Sequence, residues 1–112
     1  MKYLILLLFL IGCNDNPVWL KESYGITIFK PHGGEIWSMG ESKLICWEGD
    51  KDVVIRLFRD GFYLRTISFR TLGEHYAWEV PFGLRVDNNY KINIVSLSDK
   101  NKFDFSEDFR IE

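Results

Sequence analysis

The sequence is poor in the residues that build most small catalytic and metal centres. Its 112 residues include only two histidines, two cysteines and three prolines, so no zinc site of histidine and cysteine ligands can be assembled at useful spacing. There is no Gly-x-Ser-x-Gly motif for a hydrolase nucleophile, and no acidic loop has EF-hand spacing. A basic run is also missing, and a net charge of −2 gives no case for nucleic-acid binding. The composition therefore predicts a protein that is not an enzyme and that has no metal or cofactor.

The one long apolar run, Leu4 to Ile11, follows a single positive charge at Lys2. It is too short to span a bilayer, which needs roughly 20 apolar residues, and has the length of a signal-peptide core. Its ending, Leu10-Ile11-Gly12-Cys13, resembles the lipobox of bacterial lipoproteins. The resemblance implies that residues 1–12 are a cleaved lipoprotein signal peptide and that Cys13 is lipidated. A plain secretory signal and an uncleaved anchor are the alternatives.

Lipidation of Cys13 predicts a membrane-anchored protein of the bacterial cell envelope, either periplasmic or surface-exposed. One acyl chain binds a bilayer only marginally, whereas two or three hold stably. Residues 13–25 are then the lipidated cysteine and a tether, within which Val18-Trp19-Leu20 can dock on the domain. Cys46 is left without an intrachain partner, and a small apolar residue on a strand is favoured over a reactive thiol or an intermolecular bridge.

Residues 26–112 carry period-two apolar alternation in short runs separated by turn residues, and no sustained helical period. This pattern predicts an all-β domain, an immunoglobulin-like or fibronectin-III-like antiparallel β-sandwich of seven or eight strands. Asp60-Gly61 between two apolar runs predicts a two-residue hairpin. The predicted strands are 26–29, 35–39, 42–47, 53–59, 62–68, 75–80, 90–97 and 103–111.

Tyr90 begins a late strand that continues with apolar residues at every second position, which is the pattern of a tyrosine corner. Two residues later, where antibody domains have a bridging cysteine, this chain has Ile92. Apolar packing must therefore replace the disulfide. The inward-facing set is predicted to be Ile45, Trp47, Ile55, Leu57, Trp78, Tyr90, Ile92, Ile94, Phe109 and Ile111.

Several motifs follow one another in an order that resembles one family of extracellular domains. Ile26 to Trp37 has the form Ile-x-Ile-x-x-Pro-x-Gly-Gly-Glu-x-Trp, and Ile45–Trp47, Gly73–Pro81, Tyr90–Ile94 and Ser106–Ile111 come after it. The chain is similar to the Ser-Thr-rich glycosylphosphatidylinositol-anchored membrane family, related to the N-terminal domains of yeast cell-wall β-glucan assembly proteins. The resemblance implies a non-catalytic surface module. The chain departs from the family in lacking its richness in Ser and Thr.

Two function classes follow. The first is a binding or structural module that contacts a cell-surface glycan, a cell-wall polymer or an envelope protein. The second is a small lipoprotein inhibitor of an envelope-attacking enzyme, for which Pro81–Leu84 and Asp60-Gly61 are the candidate protruding loops.

A candidate binding patch follows from the Asp60-Gly61 hairpin. A two-residue loop pairs Phe58 with Tyr63, Leu57 with Leu64, and Arg56 with Arg65. If Ile55 and Leu57 face the core, the other face carries the predicted binding residues, which are Arg56, Phe58, Tyr63, Arg65 and, from the neighbouring strand, Lys91. A basic, aromatic patch on an acidic domain suggests an anionic or sugar-bearing partner. The alternatives are that Asp108 or Glu112 neutralises the arginines, or that a bulge near the turn removes the patch.

Overall fold

Two β-sheets pack face to face in the structure, a computed structural model that describes residues 24–112. This confirms the predicted all-β sandwich. The predicted docking segment Val18-Trp19-Leu20, like the signal peptide and Cys13, lies outside the described residues. Within them, no helix is long and apolar enough to cross a membrane. The strands are β1 (Thr27–Lys30), β2 (Ile36–Trp37), β3 (Ser42–Glu48), β4 (Asp52–Arg59), β5 (Phe62–Leu72), β6 (His75–Glu79), β7 (Asp87–Ser96), β8 (Phe103–Phe105) and β9 (Phe109–Ile111).

The smaller sheet has the order β1-β3-β6, and the larger sheet has the order β2-β9-β7-β4-β5 with β8 also paired to β7. The pairs are antiparallel except β2 with β9, which is parallel. The arrangement β9-β7-β4-β5 opposite β1-β3-β6 is that of an immunoglobulin-like sandwich, to which β2 and β8 are added. Nine strands are present where seven or eight were predicted, because the run 103–111 forms two strands, β8 and β9, that pair with different halves of β7.

The hairpin between β4 and β5 is confirmed. Asp60 and Gly61 have φ angles of 53° and 82°, the two positive values that a type I′ turn requires. The turn defines one end of the sandwich, which we call the hairpin end. The described chain enters at the opposite end, where Tyr24 bridges to Phe103 at the start of β8. We call this the Tyr24 end.

The core confirms every inward position predicted from the alternation, since all ten side chains are buried. The buried cluster is larger than predicted. It also takes in further residues from β1, β2, β4 and the loops, namely Ile26, Ile28, Trp37, Val53, Val80 and Leu84. Trp37 lies between Trp78 and Phe109, with ring centroids 6.1 and 4.8 Å away. These three rings, which come from both sheets, pack against one another in the core.

The tyrosine corner is also present. Tyr90 is completely buried, and its hydroxyl donates a hydrogen bond to the backbone carbonyl of Arg85, five residues earlier. At the same end, the Arg85 guanidinium contacts the carboxylates of Asp60 and Asp87 at 2.7 and 2.6 Å. The hairpin and the segment before β7 are thus tied together at the hairpin end.

Candidate functional site

The outer face of the larger sheet carries the side chains that the core does not use. On β4, Ile55 and Leu57 face the core, so alternation places Val54, Arg56 and Phe58 on the other face. The pairing Val54–Val95, Arg56–Asn93 and Phe58–Lys91 extends this face onto β7. The predicted positions Arg56, Phe58 and Lys91 therefore share one surface.

A continuous row of five aromatic rings crosses this face. Phe58 contacts Tyr63 on β5 at a centroid distance of 6.1 Å and Phe105 on β8 at 5.0 Å, both edge to face. Phe105 is 6.3 Å from Phe103, which stacks on Tyr24 at 5.2 Å. The Tyr63 hydroxyl lies 3.0 Å from the Thr66 hydroxyl, which fixes the ring. The face thus carries aromatic rings from the β5 edge to the Tyr24 end.

Beside the row lies a hollow of about 340 Å³, which we call the outer-face hollow. It is lined by Val54, Arg56, Val95, Ser96, Leu97 and Lys100. The floor is aliphatic, while Arg56 and Lys100 supply two positive charges. Within residues 24–112 the structure gives neither side chain an ion pair or a hydrogen bond.

Arg65 is not part of this site, which corrects the prediction. Phe58 pairs with Tyr63 as predicted, but the register slips by one residue beyond that pair, so Leu57 is opposite Arg65 and Arg56 is opposite Thr66. The predicted pairs Leu57–Leu64 and Arg56–Arg65 are therefore wrong. The physical reason is a β-bulge at Leu64, which has no partner residue on β4. Its side chain packs against the core instead.

Lys91 lies on the predicted face, but its charge is already matched. Its ammonium group is 3.2 Å from the Asp108 carboxylate and donates to the backbone carbonyl of Ser106. Glu112, the other predicted acid, pairs with Arg110 at 2.7 Å. The two acids that were expected to neutralise the arginines thus pair with other cations. Neither of them neutralises Arg56.

The outer-face hollow includes residues that the sequence interpretation missed. Val54 and Val95 could have been found, because each alternates with core residues on its own strand. Lys100 carries no such signal, since it lies in the loop between β7 and β8. Only the folded path of that loop brings it to the hollow lined by Arg56.

The Tyr24 end contains an acid whose protonation is coupled to the fold. A hydrogen bond from the Ser96 hydroxyl lowers the pKa of Asp50, against an opposing effect of desolvation. A backbone hydrogen bond from Asp52 and the Lys102 ammonium at 3.4 Å act in the same direction as Ser96. Asp50 is a structural acid of the turn between β3 and β4, far along the sheet from Phe58.

Cys46 lies on β3 and has no exposed surface. It is disulfide-bonded and not a free thiol, which corrects the expectation of an unbonded apolar residue. It is the only cysteine between residues 24 and 112, so the partner sulfur lies outside the described residues.

In the described part of the chain, no group of three or more His, Cys, Asp or Glu side chains is placed to hold a metal ion. Comparison with known proteins adds no further assignment: no protein family, curated protein or solved structure matches the chain. The family resemblance drawn from the motifs of residues 26–112 stays a prediction.

Proposed function

We propose that the protein is a non-catalytic lipoprotein of the bacterial cell envelope, periplasmic or surface-exposed, and that its sandwich is a binding module. Its partner is a cell-surface glycan, a cell-wall polymer or another envelope protein. The observation that carries the binding proposal is Arg56, a half-buried guanidinium with no acceptor among the described residues, set in an apolar hollow beside a row of aromatic rings. Such a guanidinium strongly attracts an anionic ligand, with which it forms charge-assisted hydrogen bonds.

The proposed anchor restricts where the partner can be. Cys13 is followed by ten residues before Tyr24, a stretch that spans at most about 40 Å when fully extended. A lipidated Cys13 therefore holds the sandwich close to the membrane, with the Tyr24 end nearest to it. The aromatic row runs across the sandwich from that end, which places the hollow beside it within reach of envelope polymers near the bilayer.

The anchor is tested by metabolic labelling with radioactive palmitate. The wild-type protein should incorporate the label, and Cys13→Ala should not. Cys46→Ala is the matched control and should still be labelled. An unlabelled wild-type protein whose two cysteines become reactive to alkylating reagents only after reduction would contradict the lipid proposal.

The binding site is tested by co-sedimentation of the purified mature lipoprotein with isolated envelope fractions. Arg56→Gln should release the protein from the fraction that retains the wild type. Arg65→Gln removes an exposed arginine from the same hairpin, outside the site, and should have no effect. Equal retention of both variants and the wild type would show that the outer face is not the binding surface.

A second function, the inhibition of an envelope-attacking enzyme, is favoured by one observation at the hairpin end. Phe82, in the predicted loop Pro81–Leu84, is 79% exposed. Its ring nevertheless packs on Gly40, where an added Cβ would come within 2.5 Å of the ring. An exposed aromatic side chain held in place suits insertion into a partner's pocket. Phe82→Ala should abolish inhibition of a muramidase or protease that the wild type inhibits, while Arg56→Gln should leave it intact.

A further inference from the structure

We infer that the partner of the outer face is an acidic polysaccharide, whose carboxylates contact Arg56 and Lys100 and whose sugar rings lie on Phe58 and Tyr63. This inference rests on the proposed function and names the class of ligand for the same site. It follows from three features of the described residues: uncompensated charge, partly exposed rings in a row, and central strands that are paired on both sides.

The charge is the first feature. Arg56 and Lys100 both line the outer-face hollow, and neither has an acidic partner within the described chain. An aliphatic floor of Val54, Val95 and Leu97 lowers the local dielectric, which strengthens the attraction of a carboxylate. The domain as a whole is acidic, so a local pair of unmatched cations indicates an anionic ligand at this place.

The rings are the second feature. Phe58 is two residues from Arg56 on β4, roughly 6.6 Å along the strand on the same face. Tyr63 is 55% exposed and lies directly across from Phe58 on β5. Flat aromatic surface with a polar hydroxyl at one end suits a sugar ring, which has an apolar face and a polar rim. Rings beside cations therefore fit a ligand in which every unit carries both a sugar face and a charge.

The pairing of the sheet is the third feature, and it separates a polysaccharide from an acidic peptide. β4 is flanked by β5 and β7, and β7 is flanked by β4 on one side and by β8 and β9 on the other. A peptide lying over β4 and β7 therefore meets no unpaired backbone, and main-chain hydrogen bonds to an added strand are open only at the edge strand β5. Recognition at the outer-face hollow must therefore come from side chains, and a charged glycan offers the matching groups.

The test is a binding titration of the full mature lipoprotein in detergent with three probes. Polygalacturonate carries a carboxylate on each sugar. Its carboxyl-reduced form is the same chain without charge, and polyglutamate carries the charge without sugar. We expect polygalacturonate to bind with an affinity that falls as salt is raised. We expect the reduced polymer and polyglutamate each to bind at least about tenfold more weakly, through the loss of one of the two interactions.

Two pairs of variants assign the interactions to side chains. Arg56→Gln should weaken polygalacturonate binding about tenfold or more, whereas Arg65→Gln should leave it unchanged. Tyr63→Ala should weaken it about fivefold or more, as for other stacking contacts, whereas Phe69→Ala, which removes an even more exposed ring from β5, should not. All four positions are on the surface or partly exposed, and circular dichroism confirms that each variant is folded.

Several results would overturn the inference. Polyglutamate bound as tightly as polygalacturonate, with no loss in Tyr63→Ala, would identify an acidic peptide surface instead. Equal binding of the charged and reduced polymers would identify a neutral glycan site. If no probe binds while Arg56→Gln still releases the protein from envelope fractions, the proposed function stands and the acidic polysaccharide is wrong. If Arg56→Gln also has no effect on those fractions, both fail.

Discussion

Gly49 is the position where one added methyl group should damage the fold most. Its φ is 115°, in a region that L-residues rarely adopt. A Cβ built on it would lie 1.9 Å from the carbonyl oxygen of Gly25 and 3.0 Å from the Cα of Ile26. These are backbone atoms directly before β1, so no side chain can rotate away to relieve the clash. The backbone of Gly25 or of the β3–β4 turn must move instead.

The loss of folding free energy in Gly49→Ala has two parts, backbone strain and steric clash. A substitution at a second glycine, Gly61, measures the backbone strain alone. Gly61 also has a positive φ, of 82°, but a Cβ there meets nothing within 4 Å. Gly61→Ala should therefore cost only the backbone strain, about 1–2 kcal/mol. Gly49→Ala adds the clash, and the shift it forces also strains the bond from the Gly49 amide to Glu74 at 3.1 Å. We expect about 3–5 kcal/mol in total, near the upper end for single substitutions.

Thermal and urea unfolding of the full mature chain, followed by circular dichroism, measure both variants. A domain of this size loses roughly 4–8 °C in melting temperature per kcal/mol. Gly61→Ala should thus melt about 4–16 °C lower, and Gly49→Ala should melt much lower still or fail to fold. Equal losses for the two variants would refute the argument, because they would show that the Gly25 carbonyl is not in the way.

Three further predictions concern the core, the tyrosine corner and the response to acid. Trp78→Ala should lower the free energy of unfolding by about 3–5 kcal/mol, and a melting temperature within a few degrees of wild type would contradict its place in the core. Tyr90→Phe should cost about 1–3 kcal/mol, because it leaves the Arg85 carbonyl without its donor; an unchanged urea midpoint would show that the bond contributes nothing. The Ser96 hydroxyl lowers the pKa of Asp50 in the folded state. The ionised Asp50 therefore stabilises the fold above its ordinary pKa of 3.8, and this contribution is lost as the pH falls through the lower folded-state pKa. Asp50→Asn should therefore lose less stability than wild type on titration from pH 5 to pH 2, and parallel curves would contradict this.

The candidate site shows which kind of information the sequence carries. Arg56 and Phe58 could be placed on one face because Ile55 and Leu57 alternate with them, and Lys91 followed from its strand's place beside β4. The charge of Lys91 could not be judged in the same way, because Asp108 reaches it from a segment 17 residues further along the chain. A local pattern gives the face of a side chain, but the acid that neutralises it comes from a different strand.

The sequence by itself determined the strand class, the inward faces, the Asp60-Gly61 turn and the tyrosine corner. Each of these depends on a period of two or on a short run of residues, and local backbone sterics enforce both. The tertiary structure alone decided the register slip at Leu64, the division of residues 103–111 into two strands, and the position of Lys100 in the hollow that Arg56 also lines. These depend on how side chains from distant segments compete for the same core and the same strand edges, and a one-residue slip in pairing reassigns every face beyond it.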